Sequence, residues 1–221
     1  NKVSRYFFSK LIAIFAGIIL LVIAYNHNAN SLYVISGNAY GTTWSVSSPQ
    51  YIADNHKEAI KNIINDIDYV ASNYKSESEI SKINMNFNEF QFVSDELFDI
   101  LKIAKSVEDI SEGYYNIMLG KISSSLGFAP DFGKNPLQKK LSTYELDETN
   151  RSLIRYSENW FDLSSIAKGY AVQKIHEYLS LSSLNNHLID IGGEIIISGS
   201  KNGRPWNCLL YTSPSPRDRL K

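Results

Sequence analysis

The 221-residue chain has a single cysteine, Cys208, which excludes an intrachain disulfide, a Cys-x-x-Cys redox pair and a thiolate metal cluster. It has no G-x-G-x-x-G turn and no Walker loop, the two glycine-rich signatures that cradle a nucleotide phosphate on backbone amides. Its four histidines, His27, His56, His176 and His187, are scattered, without the H-E-x-x-H spacing that would set two ligands on one helix face, and each reads as an ordinary surface or helix residue. No internal repeat, low-complexity block or long linker interrupts residues 31 to 207, so they are taken as one domain.

What the chain does have begins at the N-terminus. Leu11 to Tyr25, "LIAIFAGIILLVIAY", is an unbroken apolar run preceded by Lys2, Arg5 and Lys10, and Tyr6 to Phe8 extend it. Residues 1 to 30 therefore read as a signal or anchor segment with its basic flank on the cytoplasmic side. His27 and Ala29 make a poor A-x-A cleavage site and no cysteine follows the run for lipidation, so an uncleaved anchor is expected. At the other end, "CLLYTSPSPRD" (208–218) abandons the pattern of the preceding strand and matches an in-frame translation of a common sequencing adapter. Residues 208 to 221 are expected to be a non-native tail, with the natural protein continuing past Asn207.

Without the basic N-terminal flank and the tail, the near-neutral chain becomes a body about six charges negative. That excess argues against nucleic acid or an anionic membrane surface as the main partner.

Tyr33 to Ser48, rich in β-branched and aromatic residues and broken at Gly37 and Gly41, reads as strands. From Lys57, the spacing of Ile60, Ile63, Ile64, Ile67, Val70, Ala71 and Tyr74 predicts one face of a helix. A second helix follows the N-cap Ser94 and turns Leu97, Leu101, Ala104 and Val107 to the core until "SEGYYN" breaks it. "NWFDLSS" then reads as a strand, Ile166 to Leu179 as a helix, and "HLIDIGGEIIISG" as a strand pair turned at Gly192-Gly193. The fold class is α+β, with helices packed on a largely antiparallel sheet.

The pattern S-x-x-K, which opens the active-site helix of penicillin-recognising serine acylases, occurs at Ser72, Ser165 and Ser198. Three occurrences in a chain rich in Ser and Lys are a coincidence of composition. The supporting motifs can be matched only within about 40 residues of Ser165, too close for that fold.

The turn around Ser165 offers something else. With Asp162 and Leu163 ending a strand and Ser164 capping the helix from Ile166, the free N–H groups of the first turn would converge where the dipole favours an anion. Lys168 in that turn opposes the dipole by about 0.3 to 1 kcal/mol unless an anion binds. Asp162 and Ser165 add hard oxygens suited to Mg²⁺ beside a diphosphate. A plain capped helix with a solvated lysine explains the same residues, and the turn alone leaves both explanations open.

Five separated stretches, in order, resemble the ApbE family, the FAD:protein FMN transferases. "YGTTWSV" (Tyr40 to Val46) is similar to the M-G-T-x-W strand, with tyrosine for methionine, and "SNYKSESEISKIN" (Ser72 to Asn84) to S-x-Y-x-x-x-S-x-[IL]-x-x-[LF]-N. "SEGYYNIMLGKISSSLGF" (Ser111 to Phe128) resembles G-x-[FY]-[DN]-x-x-x-G-x-[LIV] and its following L-W-G-F, with Asn116 for the commoner aspartate and Leu126 for tryptophan. "DLSSIAKGYAVQ" resembles D-L-G-[GA]-I-A-K-G-Y-A-V-D, and "LIDIGGEI" with Pro205-Trp206 the next strand and turn.

The resemblance implies a T-fold-related α+β flavin transferase domain over residues 31 to 207. It implies FAD contacts from Tyr40, Tyr74, Tyr114, Tyr115, Asn116, Asp162 and Lys168, with Ser165 as a Mg²⁺ ligand. The implied reaction transfers FMN from FAD to a threonine hydroxyl of an acceptor subunit of a membrane electron-transfer complex and releases AMP. The implied location is the periplasmic face of a bacterial inner membrane. The family's H-[IV]-[IV]-[DN]-P segment and its D-x-x-[ST] metal ligands would lie beyond Asn207. The chain as it stands is thus expected to have an incomplete metal site and little transferase activity. FAD binding without transfer, and Mg²⁺-dependent cleavage of FAD to FMN and AMP, are the alternatives.

Overall fold

A computed structural model describes residues 2–133 and 142–207; the expected tail 208–221 lies outside the described residues. The first helix, α1 (Lys2–Asn30), contains a stretch, Tyr6–Tyr25, that is long and apolar enough to cross a membrane, and none of that stretch is buried against the rest of the chain.

The body is α+β. Its elements in order are β1 (Tyr33–Ala39), β2 (Thr42–Ser48), α2 (Asp54–Ala71), α3 (Glu79–Met85), β3 (Phe90–Phe92), α4 (Asp95–Ile110), α5 (Gly120–Ser125), β4 (Tyr144–Asp147), β5 (Ser152–Arg155), α6 (Ala167–Leu181), β6 (His187–Ile191) and β7 (Glu194–Ser198). The strands form two antiparallel sheets, β1-β2-β6-β7 and β3-β5-β4. Register explains the main core layer: Ile35 lies opposite Val46, Val46 opposite Ile189 and Ile189 opposite Ile196, so one face of the large sheet is continuously aliphatic. Helices α2 and α6 pack on each other, and α6 on β6 and β7, closing that face with Ile60, Ile64, Ile67, Ala171, Val172, Ile175 and Leu179.

The strands of Tyr33 to Ser48 are present, but only Gly41 breaks them. Tyr40 and Gly41 form a two-residue hairpin turn at φ 53 and 72, the left-handed pair that matches strand twist. Gly37 stays within β1, and its role is clearance: a Cβ there would stand 2.7 Å from the indole Nε1 of buried Trp44, its cross-strand partner. The Gly192-Gly193 turn between β6 and β7 is as expected.

Helix α2 begins at Asp54 and buries Ile60, Ile64, Ile67, Val70 and Ala71. Tyr74 is not on its core face; the helix ends at Ala71 and Tyr74 is exposed on the loop beyond it. Helix α4 is capped by the Ser94 hydroxyl, which accepts from Leu97 N–H, and buries Leu97, Leu101 and Ala104 while Val107 stays partly exposed.

The segment 159–163 corrects the expectation of a strand there. It has the alternation of one, with Phe161 and Leu163 buried around half-buried Asp162, but it joins neither sheet. Its backbone is satisfied otherwise. Asp162 N–H donates to Ile117 O at 2.7 Å, and Gly120 N–H to Trp160 O at 2.8 Å. On the opposite edge, two buried asparagine side chains stand in for a neighbouring strand.

Candidate functional site

The turn from Asp162 to Lys168 lies between two cavities. Asp162 Oδ1 accepts from both the N–H of Ser164 at 3.0 Å and its hydroxyl at 2.6 Å, a local turn that reverses the chain ahead of α6. Ser164 is therefore not the helix cap. Ile166 holds the cap position and offers no side-chain acceptor, while the N–H groups of Ile166 and Ala167 fold back onto Leu163 O. Helix α6 thus starts without a side-chain cap, and Lys168 in its first turn adds a positive charge to the positive end of the dipole.

On one side of the turn is a cleft of about 240 Å³, lined by Tyr40, Asp68, Ser72, Asn73, Tyr74, Ser164 and Lys168. Tyr40 comes from the β1–β2 turn, Tyr74 from the loop after α2, and Ser164 and Lys168 from the start of α6. The Tyr40 hydroxyl donates to Ile64 O at 2.8 Å, and burial, reinforced by Asp68, raises its pKa, so the phenol stays neutral. The Tyr74 hydroxyl donates to Phe128 O at 2.6 Å. Asp68 would oppose an anion, but Lys75 pairs with it at 2.5 Å.

On the other side is a groove of about 740 Å³ between α4 and α6, lined by Ile103, Val107, Ile166 and Tyr170 among others, with Ser165 at its edge. The Ser165 hydroxyl lies 3.1 Å from the Tyr115 hydroxyl. Burial raises the Tyr115 pKa; the Ser165 bond lowers it, and the nearby charges of Asp162 and Glu108 raise it.

The expected contact residues thus separate. Tyr40, Tyr74 and Lys168 converge on the cleft, and Asp162 braces the turn that forms its wall. Ser165 and Tyr115 meet on the groove side. Asn116 is engaged locally: its Oδ1 accepts from Met118 N–H at 2.7 Å, and its Nδ2 reaches Ser142 O at 3.4 Å and Glu108 at 3.5 Å. Tyr114 is 95% exposed and lines neither cavity.

Asp68, Ser72, Asn73 and Ser164 also line the cleft; sequence reasoning named Ser72 only in an S-x-x-K match and Ser164 only as a helix cap, and placed none of the four at the site. The signal was weak: Ser72 and Asn73 sit where the apolar period of α2 stops, and nothing local says that this loop faces α6.

The chemistry of the donor set bears on Mg²⁺. Among the described residues no group of three or more His, Cys, Asp or Glu side chains could hold a metal ion. Asp162 and Ser165 are hard oxygen donors, but the first is engaged with Ser164 and the second with Tyr115. The described residues do not by themselves fit a magnesium site.

A sequence model of the ApbE family matches residues 40–215. The chain is similar to the FAD:protein FMN transferase of Haemophilus influenzae, at 29% identity over 207 residues, covering 84% of this chain and 60% of that protein. It is similar to the enzyme of the same name from Vibrio cholerae at 28% identity over 192 residues, covering 80% and 58%. It therefore spans less than two-thirds of the length of these relatives. Among solved structures, a variant of the flavin transferase ApbE from Vibrio cholerae superposes with a TM-score of 0.72 at 24% identity, covering 82% of this chain and 68% of that one. The apo flavinyl transferase ApbE of Pseudomonas stutzeri superposes at 0.71 and 19% identity, covering 82% and 66%. At these identities the superpositions establish the α+β fold.

Proposed function

The chain belongs to the ApbE family, and from that premise we propose that the protein is an FAD:protein FMN transferase whose α6 cleft receives the FAD diphosphate. The observation that carries the reading is the convergence of Lys168, the uncapped start of α6 and two tyrosines on one cleft. A diphosphate turns the unfavourable placement of Lys168 at a helix N-terminus into a favourable one, because the anion satisfies both the cation and the dipole. The Tyr40 and Tyr74 rings present flat faces to a heteroaromatic group. Their hydroxyls, already bonded to Ile64 O and Phe128 O, fix those rings.

In this reading FMN passes to a threonine hydroxyl of an acceptor subunit and AMP leaves, a displacement at phosphorus in which the protein supplies position and charge. Lys168 holds negative charge at the transferring group, and Asp162 keeps the turn that carries Lys168 and Ser164 in place. Magnesium would supply further charge neutralisation at the phosphates. Asp162 and Ser165 could offer it hard oxygens, although each is engaged with a neighbouring hydroxyl. With helix α1 in the inner membrane, the domain would face acceptors on the periplasmic side.

Equilibrium titration with FAD tests the site. The protein should bind FAD more tightly than FMN or AMP alone, and Asp162→Ala should weaken FAD at least tenfold. Unchanged affinity in that variant would remove Asp162 from the site.

A further inference from the structure

An asparagine carboxamide carries an NH2 donor group and a carbonyl acceptor side by side, and one N–H with the carbonyl reproduces the pattern that a neighbouring strand would present. Asn73 uses both. Its Nδ2 donates to Phe161 O at 2.7 Å and its Oδ1 accepts from Leu163 N–H at 2.8 Å, so it brackets Asp162 from both sides. Asn84 sits on the same edge but holds Phe161 alone, accepting from its N–H at 2.8 Å and donating to its carbonyl at 2.9 Å. Both side chains are buried. Asp162 N–H points the opposite way, to Ile117 O.

Asn73 also belongs to the loop that supplies Ser72 and Tyr74 to the cleft. That loop is itself tied down, since the hydroxyls of Ser78 and Ser81 donate to Ser72 O at 2.5 and 3.1 Å. One carboxamide therefore joins two walls of the cleft: the Tyr74 loop and the segment leading through Asp162 to Lys168.

We propose that Asn73 is a positioning residue for FAD, setting the spacing between Tyr74 and the Asp162–Lys168 turn, while Asn84 serves the stability of the same segment. The proposal rests on the cleft being the FAD site. Removing Asn73 leaves Leu163 N–H without its acceptor and frees Asp162 on its C-terminal side. Removing Asn84 leaves that side held.

The test compares Asn73→Ala and Asn84→Ala in the full chain by thermal melting, FAD titration and hydrogen exchange. Asn73→Ala should raise the FAD Kd at least tenfold and speed exchange at the Leu163 amide at least a hundredfold. Asn84→Ala should lower the melting temperature at least as much, yet keep the FAD Kd within threefold of the parent. Asn73→Ser, which leaves room for a bridging water, replaces the alanine variant if that one does not fold.

An unchanged Leu163 exchange rate in the Asn73 variant overturns the proposal without reference to any ligand. Equal loss of FAD affinity in both variants, or an Asn73 variant that binds FAD like the parent, overturns it too. A parent protein that fails to bind FAD instead refutes the assignment of the cleft.

Discussion

Replacing Gly120 by alanine should lower stability by about 1 to 3 kcal/mol, the usual cost of inserting a methyl where nothing can move aside. Gly120 begins α5 without a positive φ, so the backbone itself accepts alanine. The obstacle is steric: a Cβ would stand 2.7 Å from Phe161 O and 2.8 Å from Trp160 O, both backbone atoms. Those carbonyls are fixed by Gly120 N–H, Asn73 and Asn84, so relief must come from shifting the segment that leads to Asp162.

Gly169 in α6 provides the contrast, because nothing outside its own helical backbone and chain neighbours lies within 4 Å of its added Cβ and its φ is also not positive. There alanine should stabilise by up to about 1 kcal/mol through helix propensity. For a chain of this size each kcal/mol moves the melting temperature by about 2 to 4 °C. Gly120→Ala should therefore melt about 2 to 12 °C lower, and Gly169→Ala up to about 4 °C higher, in thermal scans of the purified chain. FAD affinity should fall in the Gly120 variant. A Gly120→Ala protein that melts with the parent, or two variants shifted equally, would refute the steric argument.

Lys168→Met should weaken FAD about tenfold, or about 1.4 kcal/mol, by titration. The same variant should leave the ligand-free fold equally stable or up to about 1 kcal/mol more stable, since a cation has been removed from a helix N-terminus. A further prediction concerns pH. His187 is fully buried, its Nδ1–H donating to Leu184 O at 2.6 Å and its Nε2 lying 2.9 Å from His176 Nδ1; burial outweighs the opposing Leu184 bond and, with His176 adding to it, pushes its pKa below the ordinary histidine value. The neutral form is the one the fold favours, so its contribution is complete above about pH 6.5 and is lost as pH falls, by up to about 1.4 kcal/mol per unit. Urea midpoints measured from pH 7.5 to 5 should show this slope in the parent and a shallower one in His187→Asn.

The long periodic elements were legible in the sequence because their period is decided by burial alone. Helices α2, α4 and α6 and the two hairpins of the large sheet are of that kind. Helices α3 and α5 are only seven and six residues long, and strands β3 to β5 four residues or fewer, too short for a helical or strand period to emerge. The mistaken strand over "NWFDLSS" has a different origin: alternation reports burial on one side of an extended chain, and here the ladder is built from Asn73 and Asn84 instead of a strand.

Gly37 illustrates the same limit, since a glycine that breaks a strand and one that admits an indole are indistinguishable before the partner strand is placed. At the site, Lys168 at a helix start could be read from its neighbours. That Tyr40, nearly 130 residues away, meets it was implied only by the family resemblance, and Asn73 carried no signal until the loop was seen to face the Asp162 segment.

The central claim is tested most directly by incubating the full-length protein with FAD, Mg²⁺ and a peptide presenting the acceptor threonine, then following flavin and AMP by in-gel fluorescence and mass spectrometry. The account predicts FMN attached to the threonine, with one AMP released for each flavin transferred. Free FMN beside an unlabelled peptide, or unchanged FAD, would contradict it.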